Sequence, residues 1–206
     1  MRLQARVGLT LPLWPFDLRR SCDIARRAED IGYTDIWTAE TSGTDGLAAA
    51  TAFGAVTSTA RIGCAVVPAF TRPPALIAMG ALAAEQASGG RFCLGIGASS
   101  PTIVERWMGL PFERPLERVS ESLRVVKLAL SGEKVRFQGG TVEVQGFKLE
   151  TPPENPVEVY LAALGPKMMK LAADEADGMA LFLTTEAGVR LAKERAPGLQ
   201  IMARLL

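Results

Sequence analysis

The chain has 206 residues, 48% of them hydrophobic and 22% charged, with a net charge of +1. That balance lacks the basic excess of a nucleic-acid binder, and no apolar run approaches the roughly 18–20 residues that span a bilayer. Histidine is absent, which removes Ser-His-Asp and Cys-His nucleophilic machinery, histidine-ligated metals and histidine acid–base catalysis. The opening MRLQARVGLT shows no signal-peptide core with a small-residue cleavage site. Cys22, Cys64 and Cys93, odd in number and with no CxxC, read as reduced thiols of a cytoplasmic protein without a metal site.

Residues 6–11 predict a short apolar strand, ended by Pro12 and Pro15. Asp17 follows as a helix N-cap whose carboxylate can accept from first-turn amides. Leu18, Cys22, Ala25 and Ala28 then recur at helical spacing until Gly32 stops the helix. A second strand over 35–39 leads into an Ala-rich helix over 45–58. The segment RIGCAVVPAFTRPP, 61–74, is the most informative: a strand over 62–67 breaks at Pro68, crosses a short loop and restarts at Thr71-Arg72-Pro73-Pro74 as the entry to a helix over 74–88. Gly89-Gly90 turn the chain into a fourth strand over 92–96. Pro115 opens a helix with the apolar stripe Leu116, Val119, Leu123, Val126 and Leu130, which Gly132 ends. Residues 133–152 break the rhythm and read as a hairpin around Gly139-Gly140. A strand over 157–162, a helix over 166–176, a strand over 179–183, a helix over 186–195 and a strand over 200–204 follow.

Alternating strands and helices imply a parallel sheet covered by helices. The first unit has no GxGxxG, which disfavours a dinucleotide-binding fold. The expectation is an α/β fold, a TIM-type (β/α) barrel of about seven strands, shortened at its C-terminal side by an eighth unit. It would form a single domain over 1–206 with a small hairpin insertion at about 133–152. Chemistry in such a fold sits at the carboxyl ends of the strands. Glu40 is the one carboxylate at such an end beside an apolar run, and partial desolvation would raise its pKa toward a useful range. The exit Gly95-Ile96-Gly97-Ala98-Ser99-Ser100-Pro101 permits close approach of a ligand to the backbone. Gly165-Pro166 starts a helix whose free amides favour an anion. Trp14, Phe70, Trp107, Met108 and Phe112 are candidates to line an apolar pocket.

Five segments in order resemble the bacterial luciferase-like superfamily, and within it the coenzyme F420-dependent oxidoreductases of the methylenetetrahydromethanopterin reductase type. They are ARRAEDIGYTDIWTAE (25–40), RIGCAVVPAFTRPP (61–74), SGGRFCLGIGASSP (88–101), GLPFERPLERVSESLRVVK (109–127) and VYLAALGPKMMKLAADEADG (159–178). The resemblance implies a β-bulge with a non-prolyl cis peptide at Ala65–Val66, backing the deazaflavin ring, with Ala65 standing where many members have Gly. It implies cofactor contacts from Gly97, Ala98 and Ser99 at the fourth strand's exit. It also implies contacts from Ala163, Leu164 and Gly165 near the cofactor's tail and phosphate. Glu40 and Ser100 take the catalytic positions, Ser100 standing where relatives often carry a carboxylate; a hydroxyl there can hydrogen-bond the ring but is a weak general acid.

The implied activity is hydride transfer between F420 and a small organic substrate in a cytoplasmic homodimer, with no nucleic-acid or membrane partner. Two alternatives accompany it: an FMN-dependent monooxygenase of the same superfamily, and a shortened, non-catalytic barrel that only binds a ligand or partner.

Overall fold

The computed structural model describes residues 6–205. In chain order the strands are β1 (Gly8–Thr10), β2 (Asp35–Thr38), β3 (Arg61–Pro68), β4 (Phe92–Gly97), β5 (Val135–Gln138), β6 (Glu143–Phe147), β7 (Glu158–Ala162), β8 (Gly178–Thr184) and β9 (Gln200–Leu205). The helices are α1 (Leu18–Asp30), α2 (Gly46–Val56), α3 (Pro74–Ser88), α4 (Pro115–Leu130), α5 (Pro166–Glu175) and α6 (Glu186–Arg195). Seven strands form one parallel sheet in the order β1-β2-β3-β4-β7-β8-β9, and β5 and β6 pair as a separate antiparallel hairpin. The sheet curls in the manner of a TIM barrel. Among the described residues β1 pairs only with β2 and β9 only with β8, so the curl is open and the shortened barrel read from the sequence is what the chain builds. No helix among the described residues is long and apolar enough to cross a membrane.

The punctuation acts as its chemistry requires. Asp17 caps α1 by accepting from the Arg20 amide at 2.8 Å, and Asp45 caps α2 by accepting from the Leu47 and Ala48 amides at 3.0 and 2.9 Å. Gly89, at φ +63°, ends α3 in the left-handed conformation. Two details differ from the sequence reading. The first strand is only three residues long, because Pro12 has no amide to continue the ladder; Leu11 still donates to the Trp37 carbonyl at 2.8 Å. Residues Thr102–Trp107 form a π-helical turn that periodicity did not indicate, with the Met108 amide reaching back to the Ile103 carbonyl at 3.1 Å.

The strands' two-residue period separates two hydrophobic layers. Ile36, Ile62, Cys64, Leu94, Ile96, Val159, Leu161 and Met179 face the helices and join Phe53, Ile77, Leu123 and Val126 in the main core. The concave face is different at each level. At the strands' amino ends it is charged: Arg61 bonds Asp35 at 2.6 Å, Glu158 at 3.3 Å and the Tyr160 hydroxyl at 3.1 Å. One level up, Trp37, Cys93 and Tyr160 make a second, small apolar cluster. The rings fit because glycines face them: a Cβ on Gly63 would lie 2.2 Å from the Trp37 ring, and one on Gly178 would lie 2.5 Å from that of Tyr160. The Arg61 guanidinium sits 5.4 Å from the Trp37 ring centre and 5.7 Å from that of Tyr160.

Loops at the amino-end side are tied down by carboxylates. Glu29 on α1 accepts from the amides of Ser58, Thr59 and Ala60, the last two at 2.6 Å. Burial disfavours its charge, but the Ala60, Thr59 and Ser58 amides outweigh that and bring its pKa from 4.5 to about 2. A carboxylate with a depressed folded pKa stabilises the fold fully above its unfolded pKa, and that contribution is lost as pH falls through the folded value. Between pH 4.5 and about 2 the wild-type protein is therefore expected to lose stability along a slope that Glu29→Gln flattens, as read by urea midpoints across that range. Gly63→Ala is expected to cost about 1–3 kcal/mol, because the indole must move off its glycine. Urea denaturation would measure the loss, and an unchanged midpoint would contradict this packing.

Candidate functional site

Above the Trp37–Tyr160 level the concave face has only small side chains at β3, β4 and β7, and a cavity of 740 Å³ opens there. Trp37 is its floor, and Ala65, Val66, Ala98, Ala162, Ala180 and Met202 line its walls. The β3 wall is irregular: pairing with β4 slips between Cys64 and Val67, and the Ala65–Val66 peptide is cis. This bulge and cis bond lie where the family resemblance put them.

The sequence-derived site residues fall into two groups. Glu40, Ala65, Val66, Ala98, Ser99, Ser100, Leu164 and Gly165 converge on the cavity. Gly97 and Ala163 do not line it. A Cβ on Gly97 would meet Val66 at 2.6 Å and Ala162 at 3.0 Å, so this glycine makes room for the bulge. Ala163 is fully buried in the main core, its amide donating to the Ala180 carbonyl at 3.1 Å. Of the five apolar candidates only Phe112 lines the cavity. Phe70 packs on Phe112 with ring centres 4.7 Å apart, while Trp14, Trp107 and Met108 are exposed on loops and at the end of the π-helical turn.

Glu40 is engaged from three sides. Arg72 donates to both its oxygens at 3.0 Å and the Gly46 amide adds a third bond at 3.1 Å. Arg72 also bonds Asp45. Donation to the Glu40 carboxylate, with Asp45 adding to it, holds the Arg72 guanidinium pKa above its usual value. This cluster locks the loops after β2 and β3 to the start of α2. Ser99 turns the chain at φ +68°, and the Ser100 hydroxyl accepts from the Ile103 amide at 3.4 Å where the π-helical turn begins. Burial pushes the Cys64 thiol up to about 12, so it is an inert packing group behind the wall.

Several lining residues carried no sequence signal of their own. Trp37 and Met202 are found only by following the two-residue alternation around the sheet; Arg72, which pairs with Glu40 and does not itself line the cavity, lies within the 61–74 segment without any mark of its partners. Phe182 and Arg204, on the last two strands, also reach the cavity. The arrangement can hold a flat apolar group against β3 and β4, bond it through Ser100, and screen it from water on the Trp37 side.

The sequence is 32% identical over 168 residues to a 5,10-methylenetetrahydromethanopterin reductase of Archaeoglobus fulgidus, covering 81% of this chain and 50% of the relative. It is 29% identical over 199 residues to an F420-dependent glucose-6-phosphate dehydrogenase of Amycolatopsis mediterranei, covering 90% of this chain and 59% of the relative. The chain thus spans about half to three-fifths of the length of these relatives. The fold matches the solved coenzyme F420-dependent tetrahydromethanopterin reductase of Methanopyrus kandleri with a TM-score of 0.84, at 21% identity, over 96% of this chain and 64% of that one. The luciferase-like monooxygenase family matches residues 2–197, and the chain belongs to that family.

Proposed function

We propose that this chain is an F420-dependent oxidoreductase, moving hydride between the deazaflavin and a small organic substrate. The observation that carries the proposal is the apolar 740 Å³ cavity at the strands' carboxyl ends, backed by the bulge at Ala65–Val66. Relatives named for F420-dependent reactions support the cofactor class.

The residues present fit a tricyclic ring. The cavity lies within the roughly 300–1,000 Å³ of ordinary ligand sites, its lining is mostly apolar, and open space adjoins Gly165, where an added Cβ would meet nothing within 4 Å. When bound, the deazaflavin supplies the carbon that gives or takes hydride. Ala65 and Val66 would back the ring, with Ala98 and Ser99 at the β4 exit, and Leu164 and Gly165 would face its tail. Ser100 would offer its hydroxyl to an acceptor on the ring. Trp37 excludes water from below, and Glu40, paired with Arg72, holds the β2 wall in place. A cytoplasmic homodimer goes with this reading, and the free thiols of Cys22, Cys64 and Cys93 support the reducing compartment.

Titration of the purified chain with F420 and with FMN, followed by cofactor fluorescence and absorbance, tests the assignment. Saturable binding of F420 at micromolar concentrations is expected. Preference for FMN would turn the reading to a flavin monooxygenase, and binding of neither would leave a scaffold without this activity. Ala162→Phe should fill the cavity and abolish binding while the thermal midpoint is kept.

The two catalytic candidates should separate by readout, one in cofactor binding and the other in stability. Ser100→Ala is expected to weaken F420 binding severalfold, the loss of one hydrogen bond of about 0.5–1.5 kcal/mol, with little change in stability. Glu40→Gln should instead destabilise the fold by about 1–3 kcal/mol in urea, because Arg72 keeps a partly buried charge with a weakened partner.

A further inference from the structure

The cavity is electrically lopsided. Three charged residues line it: Glu40, Lys167 and Arg204. Glu40 is neutralised by Arg72. Among the described residues, neither Lys167 nor Arg204 forms an ion pair, whereas Arg6, Arg61, Arg72, Arg114 and Arg124 all do. Arg204 is also held in place. It follows Met202 by two residues on β9, so it continues the concave face, and its guanidinium lies 5.2 Å from the ring centre of Phe182, another lining residue. A guanidinium stacked by its face keeps its in-plane N–H donors free, and those donors match the two oxygens of a carboxylate or phosphate.

We propose that Arg204, supported by Phe182, is the recognition point for an anionic oxyacid group on the molecule that occupies this cavity. The ligand would have a flat apolar body toward Ala65 and Val66 and a carboxylate or phosphate toward β9. The proposal rests on the reading of this cavity as the ligand site, but not on F420 being the ligand. The acid group belongs either to the substrate or to the cofactor's phosphate-bearing tail; the chemistry at Arg204 is the same in both cases.

Two isosteric probes test it: 2-naphthoate and the neutral 2-naphthamide, titrated into the chain with Trp37 emission as the readout. Trp37 is the buried tryptophan, Trp14 and Trp107 being exposed. The naphthoate should bind about tenfold or more tighter than the amide. That ratio should collapse toward one in Arg204→Met, survive in part in Arg204→Lys, and stay unchanged in Arg190→Met, a distant surface control. Equal binding of both probes, a ratio unchanged in Arg204→Met, or no naphthoate binding would each overturn the proposal. Titrations with F420 and with its phosphate-free core then identify the source. If Arg204→Met weakens F420 but not the core, the acid is the cofactor's; if it weakens neither while the naphthoate preference is lost, the acid is the substrate's. F420 binding without the naphthoate preference would refute this inference alone, and naphthoate preference without F420 binding would refute only the cofactor assignment.

Discussion

The packing of two aromatic rings onto glycines decides where this molecule is solid and where it is hollow. Trp37 and Tyr160 fill the middle of the concave face because Gly8, Gly63 and Gly178 present no side chain to them. Below the rings, Arg61 gathers Asp35, Glu158 and Gln200. Above them the facing positions shrink to glycine, alanine and valine on β3, β4 and β7, and nothing remains to fill the space. A parallel sheet of this curvature would otherwise carry packed side chains through its whole interior. The 740 Å³ cavity is therefore the complement of the aromatic layer. Because Trp37 belongs to both, anything that shifts the layer also shifts the floor of the site.

Charge is managed differently at the two ends of the strands. At the amino ends, acids on the helices and loops hold neighbouring backbone. Glu29 binds the 58–60 loop, Glu85 accepts from the Phe92 amide at 3.0 Å, and Asp177 from the Val159 amide at 2.8 Å. Glu121 likewise accepts from Gly140, Thr141 and Val142 and so docks the β5–β6 hairpin on α4. Each bond satisfies backbone that would otherwise be left unpaired beside the core. At the carboxyl ends, the Glu40–Arg72–Asp45 cluster plays that part on the β2–β3 side alone. Across the cavity, Lys167 and Arg204 form no ion pair among the described residues, and this asymmetry gives the cavity an acceptor-seeking end.

Much of the fold was legible in the sequence because its signals are local. Asp17 and Asp45 cap helices wherever their neighbours' amides are free, Pro115 and Pro166 open helices by geometry of their own, and the strand–helix alternation leaves few topologies. The cavity was half legible. Glu40, Ser99 and Gly165 were found because they sit at strand exits, a position countable along the chain, and Ala65 through the family resemblance. Gly97 and Ala163 were also at exits, but Gly97 lies under Val66 and Ala162, and Ala163 points into the main core. Trp14, Trp107 and Met108 looked like pocket residues by type alone, and type says nothing about which way a loop turns.

By itself the sequence determined the element order and the parallel sheet, since each rests on spacing and residue chemistry along the chain, and its five family-like segments pointed to the family and, through it, to the bulged third strand. Only the tertiary structure decided that Arg72 would meet Glu40, that Trp37 would be the floor and that Arg204 would stack on Phe182. The two pairings join residues 32 and 22 positions apart, and the curvature of the open sheet alone sets which side chains converge.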